Sequence, residues 1–196
     1  MLAMPGMKVV LGLGNPGREY EGTRHNVGFE VVTRLARLAG ETTVADRKFR
    51  SLVGSVRIGE EKVLLVMPQT FMNLSGEAAR EVVGFYKVEP QDVLVVVDDV
   101  ALDLGRMRIR GAGSSGGHHG LESVLTCLGT DAVPRLRLGV GGGAKRELVG
   151  HVLGKFASEE RAALEGALSA AVGAVDLWVR DGLTASMNRY NGDPVS

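Results

Sequence analysis

Four apolar runs in this chain each stop at a short cluster of Asn, Asp or His, and that repetition limits the folds open to it. Met7 to Gly14 leads into Asn15 and then Thr23-Arg24-His25-Asn26. Lys62 to Met67 leads into Gln69-Thr70-Phe71-Met72-Asn73, and Val93 to Val97 into Asp98-Asp99. Arg106 to Arg110 leads into Gly116-Gly117-His118-His119-Gly120. In an α/β sheet such strand exits collect at one edge, where ligands bind. The chain is therefore predicted to gather one polar site containing histidine.

Strand and helix patterns alternate along the chain, which favours a sheet with helices on its faces. The predicted strands are Lys8 to Leu13, Ser51 to Ile58, Lys62 to Met67, Val93 to Val97, Gly105 to Arg110 and Arg135 to Val140. Gly59-Glu60-Glu61 reads as a hairpin turn between the second and third, so the sheet is expected to be mixed. The predicted helices are Asn26 to Ala39, Gly76 to Phe85, His119 to Leu128 and Ser158 to Val179. The first has Val27, Val31, Leu35 and Leu38 on one face; the last starts at Ser158 with Glu159 and Glu160 in its first turn, as a capped helix does. Met187 to Gly192 reads as a polar tail. No internal repeat or low-complexity linker interrupts the pattern.

At 196 residues and 44% hydrophobic composition, the chain is long enough for one substantial core. One domain over 1–196 is expected, with loose termini at 1–6 and 191–196. The lone Cys127 has no internal disulfide partner, and the N-terminus lacks a signal-peptide pattern, so a cytoplasmic address is expected. Uninterrupted apolar segments fall well short of the roughly 20 residues of a membrane span, so no membrane association is expected.

Lys plus Arg balance Asp plus Glu at 23 each, so global charge is silent about an anionic partner. Its distribution is not. Between Gly105 and Arg146 lie Arg106, Arg108, Arg110, Arg135, Arg137, Lys145 and Arg146, against Glu122 and Asp131 alone. Segregated basic charge beside a polar site suits phosphate contacts. It equally suits a solvated strand face, since Arg106, Arg108 and Arg110 alternate with Met107 and Ile109.

Two glycine motifs have bland readings that fit better. Gly12-Leu13-Gly14-Asn15-Pro16-Gly17 matches the dinucleotide fingerprint G-x-G-x-x-G, but Arg18 to Asn26 is a polar loop where that fingerprint needs an opening helix. Structural glycines in a tight turn, aiming Asn15 into the cleft, are the better reading. Gly113-Ser114-Ser115-Gly116-Gly117 matches the nucleophile elbow, with Asp131 and His151 following in hydrolase order. It follows a basic alternating strand instead of a buried one, so a flexible loop is favoured over Ser115 as nucleophile.

His25 stands where a helix begins. The positive end of the helix dipole favours the neutral ring that a general base needs, and Asp98 or Asp99 could fix its tautomer from a strand exit. A solvent-exposed capping histidine and two turn-forming aspartates remain the alternative. His118 and His119, adjacent in sequence, cannot share one face of a regular element, and no Cys/His cluster has ligand spacing, so no metal is expected.

Taken in order, Gly12 to Gly17, Tyr20, Thr23-Arg24-His25-Asn26-Val27-Gly28, Phe71-Met72-Asn73-Leu74-Ser75-Gly76, Asp98-Asp99, Gly116-Gly117-His118 and Val152-Leu153-Gly154-Lys155-Phe156 resemble the bacterial peptidyl-tRNA hydrolase family over nearly the whole chain. The resemblance implies a single α/β domain with a twisted mixed sheet surrounded by helices, the phosphorylase/hydrolase-like arrangement of that family. It implies hydrolysis of the ester joining a peptide to the terminal ribose of tRNA, recycling peptidyl-tRNA released from ribosomes. His25 is implied as the base, oriented by Asp98. Asn15 and Asn73 are implied to position the peptide end and polarise the carbonyl. Phe71, Tyr20, Met72, His118 and His119 fall at or beside positions implied to line the cleft, and Arg110 and Arg137 at positions implied to clamp tRNA phosphate. No cofactor is implied; the partner is peptidyl-tRNA, through its acceptor stem and CCA end, and the protein is expected to act as a monomer.

Two positions depart from the family pattern. His119 stands where the family usually has Asn, and an imidazole offers fewer donor and acceptor combinations than an amide. His119 is expected to keep part of that role and add an acidic pH sensitivity, which an unchanged pH profile in His119→Asn would refute. Val100-Ala101-Leu102-Asp103 replaces the usual Leu-Asp-Leu-Pro, leaving Asp98 in place. The rival readings are a non-catalytic RNA-binding member of the same fold, against which the retained His25, Asp98, Asn15 and Asn73 argue, and a nucleotide-dependent oxidoreductase, which ranks last.

Overall fold

The computed structural model describes residues 6–142 and 148–192. Lys145 and Arg146 of the basic segment, and the terminal residues 1–5 and 193–196, lie outside the described residues.

The strands are β1 (Lys8–Gly12), β2 (Val44–Asp46), β3 (Ser51–Ile58), β4 (Glu61–Pro68), β5 (Val93–Asp99), β6 (Met107–Arg110) and β7 (Arg135–Gly139). They form one sheet in the order β2-β3-β4-β1-β5-β7-β6. The centre, β4-β1-β5-β7, is parallel, and both edges are antiparallel. A parallel strand with helices over both faces is buried on both sides, which is why Val63 to Met67 and Val93 to Val97 are unbroken apolar runs. The chain crosses from β1 to β4 on one side and then to β5 on the other. That reversal beside β1 is the switch point at which α/β sheets open a crevice at their strand C-termini.

Alternation along the strands divides the core in two. Val10, Leu65, Leu94 and Val96 face α1 (Val27–Leu38) and α5 (Arg161–Asp181). Val9, Leu11, Leu64, Val66, Val95 and Val97 face α2 (Ser75–Tyr86) and α3 (His119–Leu128). The segment Ser158–Asp181 is long and apolar enough to cross a bilayer by length and composition alone. Ala167, Leu168, Ala171, Ala174, Val175, Trp178 and Val179 form its buried stripe, however, and Lys8 Nζ donates to the Trp178 and Val179 carbonyls at its end. It is a core helix of this domain, formed from an interrupted apolar pattern that a search for continuous runs passes over.

Several expectations are corrected. The β3–β4 hairpin turns on Gly59 and Glu60 alone, because Glu61 already pairs with Ile58, and Gly59 takes the positive φ of 61° that a two-residue hairpin favours. The supposed loop from Arg18 to Asn26 holds two 3₁₀ turns, Arg18–Tyr20 and Arg24–Asn26. β2, α4 (Leu148–Val152) and α6 (Leu183–Tyr190) have no counterpart among the predicted elements. Met187 to Gly192 is not a free tail: α6 runs to Tyr190, and Asn191 is tied to the sheet edge. Its Nδ2 donates to the Ile109 carbonyl at 2.9 Å, and its Oδ1 accepts from the Ile109 amide at 2.6 Å. One side-chain amide thus closes the open side of β6 as a neighbouring strand would.

Candidate active site

The first strand ends against the first helix with no side chain between them. A Cβ on Gly12 would stand 2.3 Å from the Gly28 carbonyl oxygen, and one on Gly28 would stand 2.5 Å from Leu13 and Val96 backbone atoms. Only glycine at both positions lets the start of α1 rest on β1 and β5. That contact carries the preceding turn, and with it His25, to the end of β5, where Asp98 is 3% exposed.

His25 Nδ1 lies 2.7 Å from Asp98 Oδ1. His118 Nε2 lies 2.9 Å from the same oxygen. The two rings stand 5.0 Å apart between centroids, tilted by 47°. Burial acts to raise the Asp98 carboxyl, but the hydrogen bonds from His118 and His25 outweigh it and hold the group well below the usual carboxylate range. An ionised Asp98 is an acceptor only, so both imidazoles must donate to it. His25 therefore carries its proton on Nδ1, and Nε2, which has no partner among the described residues, keeps a lone pair. His118 is fixed at both ends, because its Nδ1 accepts from the Leu121 amide at 3.1 Å as the N-cap of α3.

His25, Asp98 and His118 place three potential metal-ligand atoms within 4.8 Å of one another, although nothing in their sequence spacing suggests it. The fit is poor. A metal on Nε2 of His118 would require the proton on Nδ1, which would then face the Leu121 N–H donor to donor. The arrangement suits two protons shared with one carboxylate.

Asn15 follows β1 and is locked from two directions. Its amide donates to Asn26 Oδ1 at 2.8 Å, and Asn26 Nδ2 donates to its carbonyl at 3.0 Å. Its Oδ1 accepts from the Met72 amide at 2.9 Å, which leaves Nδ2 as the group Asn15 offers to a ligand. Met72, Asn73 and Leu74 form a 3₁₀ turn after β4. The Met72 side chain is buried and packs beside Gly120, so among the described residues it shapes the floor while its amide orients Asn15. Asn73 on this turn and Phe71 just before it are exposed, and the Asn73 side chain makes no hydrogen bond among the described residues. Tyr20 is half-buried in its own turn, its carbonyl accepting from Thr23 Oγ1 and the Thr23 amide.

The remaining expected site residues are less integrated. His119 is exposed in the first turn of α3, 3.9 Å from Glu122. Arg110 is exposed at the end of β6 with no partner among the described residues. Arg137 is engaged: NH2 donates to the Ser114 and Ser115 carbonyls, and NH1 lies 3.5 Å from Asp99 Oδ2. Arg135 is buried, donating to the carbonyls of Val133, Gly113, Ser114 and Asp131. These two arginines hold the glycine-rich loop by its carbonyl oxygens. The Ser115 hydroxyl accepts from the Gly117 amide and meets no imidazole among the described residues, and His151 bonds the Gly141 carbonyl at 2.9 Å, so the elbow reading fails. The dinucleotide reading fails as well, because Gly12 and Gly14 are close-packing glycines against α1. Arg24 and Asn26, which flank His25 and fasten it on either side, were not singled out from the sequence; their partners lie in distant segments or in backbone atoms.

The sequence profile described as peptidyl-tRNA hydrolase matches residues 9–196. The chain belongs to the peptidyl-tRNA hydrolase family. It is 48% identical to peptidyl-tRNA hydrolase of Alkaliphilus metalliredigens over 186 residues, covering 95% of this chain and all of that protein. It is 49% identical to that of Thermoanaerobacter sp. at the same coverages. The crystal structure of peptidyl-tRNA hydrolase from Acinetobacter baumannii superimposes with a TM-score of 0.90 at 37% identity, over 96% of each chain. The reaction of this peptidyl-tRNA hydrolase is the hydrolysis of peptidyl-tRNA, in which water cleaves a carboxylic ester.

Proposed function

We propose that His25 is the general base of this ester hydrolysis and that Asp98 fixes it in the reactive tautomer. One observation carries the reading: the 2.7 Å bond between Nδ1 and Asp98 leaves Nε2 of the same ring, without a partner among the described residues, to take a proton from water. Hydroxide formed there adds to the ester carbonyl. As the tetrahedral oxyanion builds, Asn15 Nδ2 donates to it, pre-aimed by the Met72 amide, and Asn73 holds the peptide end. Collapse breaks the bond to the ribose oxygen, which takes the proton from Nε2 and leaves as the hydroxyl. Buried and anionic, Asp98 stabilises the imidazolium between those transfers. An ester leaving group makes a covalent nucleophile or a metal unnecessary.

Tyr20, Phe71, Met72, His118 and His119 are proposed to border the peptide and the terminal adenosine. Arg110, whose side chain has no partner among the described residues, is proposed to meet phosphate at the acceptor stem and CCA end, with Arg137 contributing from the loop it braces. The enzyme acts as a monomer, in the cytoplasm where its tRNA substrate is found.

The test is single-turnover hydrolysis of an N-blocked aminoacyl-tRNA by wild type and His25→Ala, with the unblocked aminoacyl-tRNA as control. Cleavage of the blocked substrate alone, lost in the variant, supports the base assignment. Full activity in a folded His25→Ala overturns it. Salt-sensitive tRNA binding without cleavage by wild type would favour the non-catalytic RNA-binding alternative.

A further inference from the structure

Arg24, the residue before His25, is 9% exposed, and its partners lie more than a hundred positions away. Its NH1 donates to the Lys155 carbonyl at 2.6 Å. NH2 reaches both carboxylate oxygens of Glu160, at 2.9 and 2.7 Å. The guanidinium lies over the Phe156 ring, 4.8 Å from its centroid. The backbone repeats the attachment: the Arg24 amide donates to the Gly154 carbonyl at 3.0 Å, and Thr23 bridges Lys155 as an isolated antiparallel pair. Glu160 is itself pinned, since its carboxylate accepts from the Ala157 amide at 2.7 Å at the start of the helical segment that continues into α5.

A planar guanidinium engaged through both terminal nitrogens and on one face defines a position in a way that a flexible ammonium cannot. The element it fixes is a three-residue 3₁₀ turn, and the next side chain on that turn is His25. We propose that Arg24, held by Glu160, Phe156 and the Lys155 carbonyl, is the positioning residue for His25, setting the turn so that Nδ1 meets Asp98. Arg24 touches neither substrate nor Asp98; it acts through the turn. The segment 154–160 thereby becomes a working part of the hydrolase. This inference rests on His25 being the base.

The test reads the His25–Asp98 bond directly. In 15N-labelled protein the Nδ1 proton of His25, held 2.7 Å from a carboxylate oxygen, gives a far-downfield resonance, assigned by its loss in His25→Ala. In Arg24→Gln that resonance moves upfield or broadens away, and kcat falls about 10- to 100-fold, the scale of a small misplacement of a reacting group. KM for N-blocked aminoacyl-tRNA stays within about twofold, because substrate contacts are untouched. Arg24→Lys recovers part of the loss. Glu160→Ala, which gives up one cap bond but leaves Arg24 in place, shifts both readouts in the same direction by less, and it decides the question if Arg24→Gln does not fold. A folded variant with wild-type resonance and kcat, or one whose whole loss lies in KM, overturns the proposal. Undiminished hydrolysis by His25→Ala would instead overturn the base assignment, whatever the resonance does.

Discussion

His118 donates from Nε2 to the same oxygen of Asp98 that His25 reaches, while its other ring nitrogen is occupied by the Leu121 amide. The two bonds of His118 serve different ends: one orients a carboxylate, the other caps a helix. His118→Asn separates them, because Asn caps as well as any residue but is too short to reach Asp98. Its melting temperature is expected to fall only by the loss of the Asp98 bond, while kcat drops about tenfold, the scale of one lost hydrogen bond to a charged group. His118→Ala is expected to lose about 1 kcal/mol of stability as well. Thermal melts and single-turnover rates on both variants check this.

Asp98 sets an acid limit on the fold. A carboxyl depressed in the folded state contributes stability above its unfolded value, about 3.9, and loses it as pH falls from there through the folded value. The urea midpoint of wild type is therefore expected to fall more steeply than that of Asp98→Asn between about pH 5 and pH 2. At neutral pH the same variant is expected to lose roughly three orders of magnitude or more in kcat, since an amide no longer enforces the His25 tautomer. Parallel slopes in the two urea series would mean that the carboxylate is not linked to folding.

Asn191 closes the β6 edge by both of its polar atoms. Asn191→Ala leaves the Ile109 amide and carbonyl without partners and is expected to cost about 1–3 kcal/mol in urea unfolding, with more aggregation from the opened edge. Asn191→Asp is expected to lie between, keeping the acceptor and losing the donor.

Arg110 and Arg137 differ in what holds them, so their variants are expected to differ in kind. Arg110→Ala should weaken binding of all tRNAs similarly and reduce the salt slope by about one, with unfolding unchanged. Arg137→Ala also gives up one bond to each of the Ser114 and Ser115 carbonyls, which keep Arg135 and the His118 amide, and should lower stability modestly. Binding titrations across a salt series, paired with melts, separate the two.

The central strands, α3 and the convergence of His25, Asn15 and Asp98 were legible because alternation and strand-exit clusters are local signals. β2 was missed because three residues with an exposed valine carry no alternation. α6 was missed because its apolar stripe is short, Leu183, Met187 and Tyr190 half-buried against the core in an otherwise polar stretch. The double use of Asp98 by His25 and His118 spans 73 and 20 positions, and the attachment of Arg24 to Glu160 spans 136. No window along the chain contains such a pair. The choice of Asp98 over Asp99 follows from strand direction: Asp98 is buried within β5, whereas Asp99 Oδ1 accepts from the Ala101 amide and Oδ2 faces Arg137.

The bare contact of Gly12 with Gly28 leaves the turn that carries His25 with no compressible layer beneath it. On that side His25 is seated on the backbone of the central strands, while on the other the Arg24 side chain ties the same turn to the segment 154–160. Warming that loosens side chains is therefore expected to disturb the imidazole from the Arg24 side before it parts the sheet beneath.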